Sequence, residues 1–74
     1  MKVFFSNVGR EKKSWVSNLR TVDHSTLLSQ IRKYHALMSS DIMFDLDSDG
    51  NGIILAGMRQ VGNFVVEAYV GGAA

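Results

Sequence analysis

The spacing of apolar residues changes once along this chain and then changes back, and this limits the fold more than any other feature. Over residues 23–39, Leu27, Leu28, Ile31, Tyr34, His35 and Met38 recur at helical intervals and make one stripe. Ser29, Gln30, Arg32, Lys33 and Ala36 fall opposite, and Leu37 lies outside the stripe. On both sides of this segment the apolar residues alternate, as they do on strands.

Before the helix, residues 2–7 set Val3 and Phe5 against Lys2, Phe4 and Ser6. Residues 13–19 put Trp15 and Leu19 on one parity and Val16 on the other. The polar, Gly-containing stretch 8–12 suits a hairpin loop, so the two strands should pair antiparallel. Asp23 is the expected helix N-cap, and the short polar residues Ser39, Ser40 and Asp41 should end the helix. After it, Ile42, Phe44 and Leu46 alternate with Met43, Asp45 and Asp47, giving a third strand. Residues 53–56 read as a buried fourth strand and 64–70 as a fifth. Residues 47–52 and 59–63 read as the turns between them, Gly57 as a bulge or close backbone approach, and 71–74 as a frayed tail.

The expected fold class is therefore α+β: a single domain of order ββαβββ, with a mainly antiparallel five-stranded sheet and one helix packed on one face. Several strands carry apolar residues on both parities: Phe4 with Phe5, Trp15 with Val16, Ile53 with Ile54, Val65 with Val66. One helix cannot cover two faces, so a second copy or a target surface is expected to cover the other. At 74 residues the core is thin. With no cysteine there is no disulfide staple, and a homodimer is one route to a larger core. The hydrophobic fraction of 46% argues against disorder. The apolar start Met1–Phe5 is too short for a signal peptide or a membrane span, so a cytoplasmic location is expected.

Net charge is only +1, but the charges are unevenly placed. Residues 1–33 carry seven Lys and Arg against two acids, and residues 34–74 carry one Arg against five acids. Because small α+β sheets pair strands from both ends of the chain, the two halves are expected to interleave and their fields largely to cancel.

The sharpest motif is Asp47-Ser48-Asp49-Gly50-Asn51-Gly52-Ile53-Ile54, which resembles the first eight positions of an EF-hand calcium loop. The match fails where affinity is set: the bidentate Glu position is Met58, the ninth position is Leu55, and the flanks alternate like strands. Asp, Gly and Asn are also what a hairpin turn uses, so a turn is expected and any calcium binding at Asp47, Asp49 and Asn51 would be weak. No metal or cofactor is expected.

The two histidines, His24 and His35, are about 16 Å apart along a helix and cannot share a metal. The serines and threonines sit in no nucleophile context, and the glycine-containing turns lack phosphate-loop spacing. A chain this size has little volume for a pocket that shifts a catalytic pKa, so catalytic residues are not expected. Arg10, Lys12 and Lys13 near Trp15 make a basic patch that would suit nucleic acid, although a pI near 8.1 is low for that role and Trp15 on an alternating strand reads as core.

In size and layout the chain resembles the small proteins of phages and other mobile elements, of which the anti-CRISPR proteins are the best-known group. The resemblance rests on the short aromatic hairpin 3–19, the lone helix 23–39, and the hairpin from Phe44-Asp45-Leu46-Asp47 to Ala56-Gly57-Met58-Arg59. It implies a non-catalytic inhibitor that covers a surface of a host CRISPR effector complex. Asp45, Asp47 and Asp49 would then face a basic partner, or Arg10, Lys12 and Lys13 an acidic one. The net charge of +1 departs from the more acidic members and argues against a DNA-mimic mechanism. A nucleic-acid-binding accessory protein using Arg10–Lys13, and a weak calcium module, are the alternatives.

Overall fold

The structure is a computed structural model and describes residues 1–37 and 40–67. The elements run β1 (Lys2–Val8), β2 (Lys13–Asn18), α1 (His24–Lys33), β3 (Ile42–Leu46), β4 (Asn51–Ala56) and β5 (Arg59–Val66). All five strands form one antiparallel sheet in the order β2-β1-β5-β4-β3, with β1 and β5 meeting at its centre. The ββαβββ order and the α+β class are as the alternation indicates.

One face of the sheet holds the core. Val3, Phe5, Ile42, Ile54, Phe64 and Val66 are buried there under Leu27 and Ile31 of α1. Phe5 stacks on Trp15 at 4.6 Å and Trp15 on Tyr34 at 4.7 Å, so Trp15 belongs to the core side and is not an exposed platform. In the other direction Phe5 meets Phe64 (6.0 Å), Phe64 meets Phe44 edge-on (6.1 Å), and Phe44 meets His24 edge-on (5.3 Å). This file of rings crosses the sheet from β3 to β2 and begins and ends on the helix segment.

Gly52 makes the file continuous. A Cβ there would lie 2.2 Å from Phe64 Cζ, because the Phe64 ring lies over β4 at that level. The sequence reading places Gly52 in a turn; instead the turn is confined to residues 47–50, and Asn51 and Gly52 already belong to β4.

Two further boundaries differ from expectation. The helix starts as expected: the Asp23 side chain accepts from Thr26 N, and the Thr26 hydroxyl accepts from Asp23 N, a reciprocal capping box. It ends at Lys33, well short of residue 39. His35 takes a left-handed φ of 53°, His35 N donates to Arg32 O and Ala36 N to Ile31 O, which together make a Schellman stop. Glycine usually fills that position, so the sequence hides the stop. His35 accordingly leaves the expected stripe as an exposed residue, Tyr34 lies at the edge with its ring stacked on Trp15, and Leu37 is half-buried and packs on the core. Met38 and Ser39 lie outside the described residues.

The expected turn at 59–63 is strand. The connection is the two-residue loop Gly57-Met58, flanked by the pair Ala56 and Arg59, with Gly57 at φ 64° in the first loop position that a type II′ hairpin gives to glycine. Gly62 serves packing: a Cβ there would come within 3.0 Å of Val8. Between Ile54 and Leu55 the β4–β5 register shifts by one residue, so Val61 is the extra residue of a bulge, and its carbonyl accepts from Gly9 N at 2.8 Å. The expected continuation of β5 through residues 68–70 and the tail 71–74 lie outside the described residues.

Three stability measurements check this account. In chemical denaturation Gly52→Ala loses about 2 kcal/mol or more, because the methyl group must displace a buried ring. His35→Gly gains about 0.5–1 kcal/mol by relieving the left-handed residue at the helix stop. The backbone N–H of Thr26, and then the Ser25 hydroxyl, hold the Asp23 carboxyl below its ordinary value. A carboxyl lowered on folding stabilises the fold above its unfolded pKa, and that contribution is lost as pH falls through the folded pKa. Melting temperatures of Asp23→Asn should therefore fall less steeply than those of the parent below about pH 4.

Candidate functional site

The face of the sheet away from α1 has no covering element among the described residues. Strand register puts Val16, Phe4 and Val65 side by side on β2, β1 and β5. They are 50%, 37% and 44% exposed, a high value for neighbouring apolar side chains at the middle of a sheet. Next to Val65, β4 presents Asn51 and then Ile53; Leu55 follows, paired with Met43 on β3, which is 57% exposed. The result is a diagonal apolar band from the middle of β2 to the upper end of β3. Asp45, paired with Ile53, borders it on one side, and Ser6, Ser14 and Asn63 border it on the other.

The two charged triplets of the sequence reading are each kept together but lie at opposite corners of the sheet. Asp45 is on the outer strand β3, and Asp47 and Asp49 are at its lower end, in the β3–β4 turn. Arg10 and Lys12 sit in the β1–β2 loop, and Lys13 opens the other outer strand, β2. Strands from both ends of the chain do pair, β1 with β5, but the expected cancellation of charge does not follow. The acidic residues Asp41, Asp45, Asp47 and Asp49 all fall on or beside β3, as far from β2 as the sheet allows.

Not every charge in these corners is available to a partner. The Asp47 carboxylate accepts from Asp49 N at 2.9 Å and Asn51 N at 3.0 Å, which pins its own turn, and Gly50 closes that turn at φ 89°. Strands flank the loop on both sides, as a hairpin requires. Among the described residues no three His, Asp or Glu side chains are grouped so as to hold a metal ion. At the basic corner, Lys13 Nζ donates to Tyr34 O at 2.9 Å and lies 3.7 Å from Glu11, tying the hairpin to the end of the helix. Arg10 and Lys12 have no side-chain partner among the described residues.

Arg59 is the residue that sequence reasoning missed. The expected turn at 59–63 leaves it out of the basic patch of Arg10, Lys12 and Lys13. Reading Gly57-Met58 as the two-residue loop would have put Arg59 at the head of β5, at the same end of the sheet as the loop that carries Arg10 and Lys12. His24 and His35 stay apart as expected, His24 against Phe44 and His35 exposed at the helix stop.

Because Asp47 shapes the turn, its charge and its hydrogen bonds can be separated. Asp47→Ala should cost about 1 kcal/mol in denaturant unfolding, whereas Asp47→Asn, which keeps an acceptor, should be close to neutral. No described helix is long and apolar enough to cross a membrane. Compared with known proteins, the chain matches no family model, no curated protein and no solved structure.

Proposed function

We propose that this protein is a non-catalytic binding module that acts by covering the surface of another protein with its open sheet face. The observation that carries the reading is the row Val16, Phe4 and Val65, three adjacent strands presenting apolar side chains to solvent while the core is complete on the other side. The partner it fits is an apolar patch with a cation placed to meet Asp45 at the edge of the band. Together with the resemblance in size and layout to anti-CRISPR proteins, this points to a subunit of a host CRISPR effector complex, inhibited by occlusion in the cytoplasm. A second copy of the chain is the competing occupant of the same face.

The nucleic-acid reading is supported by the cationic corner. A weak calcium site at Asp47, Asp49 and Asn51 is the third reading; it requires the melting temperature to rise with added calcium.

The test is survival of a plasmid or phage targeted by a CRISPR system in cells that express the chain. The parent should restore survival. The double variant Val16→Lys, Val65→Glu, which keeps the net charge, should lose that protection while retaining its melting temperature, since both positions are exposed. Protection retained by the double variant would remove the open face from the mechanism. A molar mass that doubles with concentration, and returns to monomer in the double variant, would give the face to a second copy instead.

A further inference from the structure

Arg59 turns a basic hairpin into a site. β5 returns beside β1, and Gly9 N donates to Val61 O at 2.8 Å, so the head of β5 lies against the β1–β2 loop. Gly9, Arg10, Lys12, Arg59, Gln60 and Val61 line a shallow recess of about 320 Å³. A second recess of about 330 Å³ shares Lys12, Gln60 and Val61 and extends to Asn7 and Asn63.

Three properties of the recess converge on one kind of ligand. Its charge is of one sign: three cations line it and no carboxylate does. The acids nearest in the fold are Glu11, paired with Lys13, and Asp41, which is already engaged. The side chains of Arg10, Lys12 and Arg59 are exposed and make no hydrogen bond or ion pair among the described residues. The backbone that carries them is also fixed. Gly9 is buried, with Ala36 O only 2.0 Å from where a Cβ would stand, and Lys12 N closes the loop onto Gly9 O at 3.2 Å. A ligand therefore does not have to order the loop before binding.

We infer that this recess is a phosphate site. Two guanidinium forks and an ammonium approach from two separate segments, which suits an anion with three or more oxygens; a planar carboxylate is satisfied by one fork. No aromatic ring lines either recess, so the site holds phosphate and does not read bases. The phosphate is that of a single nucleic-acid strand or of a small phosphate ester. The amides of Asn7, Gln60 and Asn63 extend the polar surface along the line a strand would follow. The inference does not depend on the protein-binding reading, which uses other residues.

The full chain is titrated at low salt with inorganic phosphate, with a short oligothymidylate and with a polyglutamate peptide, following backbone amides by NMR. Saturable shifts centred on Gly9, Arg10, Lys12 and Gln60 are expected, with Asp49 and Asn51 unmoved. Saturation by the strand at lower concentration than by phosphate assigns a nucleic-acid source; equal or tighter binding of phosphate assigns a small ester. Arg59→Gln should weaken binding about threefold or more. Arg20→Gln makes the same charge change beyond the opposite end of β2 and should leave binding intact, as should the open-face double variant. Equal weakening by Arg59→Gln and Arg20→Gln would mean diffuse attraction and overturn the site. So would the absence of saturable shifts, or polyglutamate binding as tightly as the strand, which would make it a site for an acidic protein.

Discussion

A missing side chain at Gly52 is the constraint on which the rest of this structure depends. β4 lies between β5 and β3, and any Cβ at that position would collide with the Phe64 ring. With the space left open, the ring reaches across β4 to Phe44, and the aromatic file becomes continuous from His24 to Tyr34. Offset and edge-on ring pairs contribute about 0.5–1.5 kcal/mol each beyond their burial. With one ten-residue helix among the described residues, this lets two points on the helix segment hold both outer strands of the sheet. Between those points Leu27 and Ile31 supply the aliphatic filling.

Placing the whole core on one side has consequences for the other. The alternate residues of all five strands are left to solvent, and the strand order decides their electrostatics. β2 and β3 are the free edges; the first belongs to the cationic half of the chain and the second carries the acids. Pairing of like edges between copies, β2 with β2 or β3 with β3, would bring like charges together, which disfavours the edge-to-edge association that a small open sheet invites. The bulge at Val61 and the left-handed Asn7 beside the register shift in β1 add twist at the upper end of the sheet, where the basic loop sits.

Much of this was legible in the sequence, and what was not depends on distant contacts or on local backbone conformations that residue type does not signal. Apolar patterning revealed the five strands and their order, but with apolar residues on both parities it left the buried face open; in the fold Val3, Phe5, Phe64 and Val66 point inward and Phe4 and Val65 outward. Asp23 announced the helix start because capping chemistry is local. Two of the misread positions are glycines that serve a contact distant in sequence. Gly52 and Gly62 look like turn glycines, but they make room for Phe64 and Val8. His35 occupies a left-handed stop with a side chain that gives no such signal. Arg59 was lost because Gly62 and Asn63 marked the wrong turn. The charge layout rests on strand order: that β1 and β5 would pair could be guessed, but not that Asp41, Asp45, Asp47 and Asp49 would fall on or beside the far strand.

The residues that fold this chain and those available for binding hardly overlap. Arg10, Lys12, Arg59, Val16 and Val65 contribute nothing to the aromatic file, and Phe4 projects from the face opposite to it. Substitution at such exposed sites ordinarily changes stability by less than about 0.5 kcal/mol. A binding surface of this kind can diverge without endangering the core, which is how a small domain keeps one architecture while its target changes. The two candidate surfaces also meet. Asn63 borders the apolar band and lines the second recess, so the open apolar face runs into the cationic corner. A target that offers apolar protein surface beside exposed phosphates, as a nucleic-acid-loaded protein does, would engage both at once. Such a target would gain from two adjoining contacts held at fixed separation by one rigid sheet, where either surface alone is small.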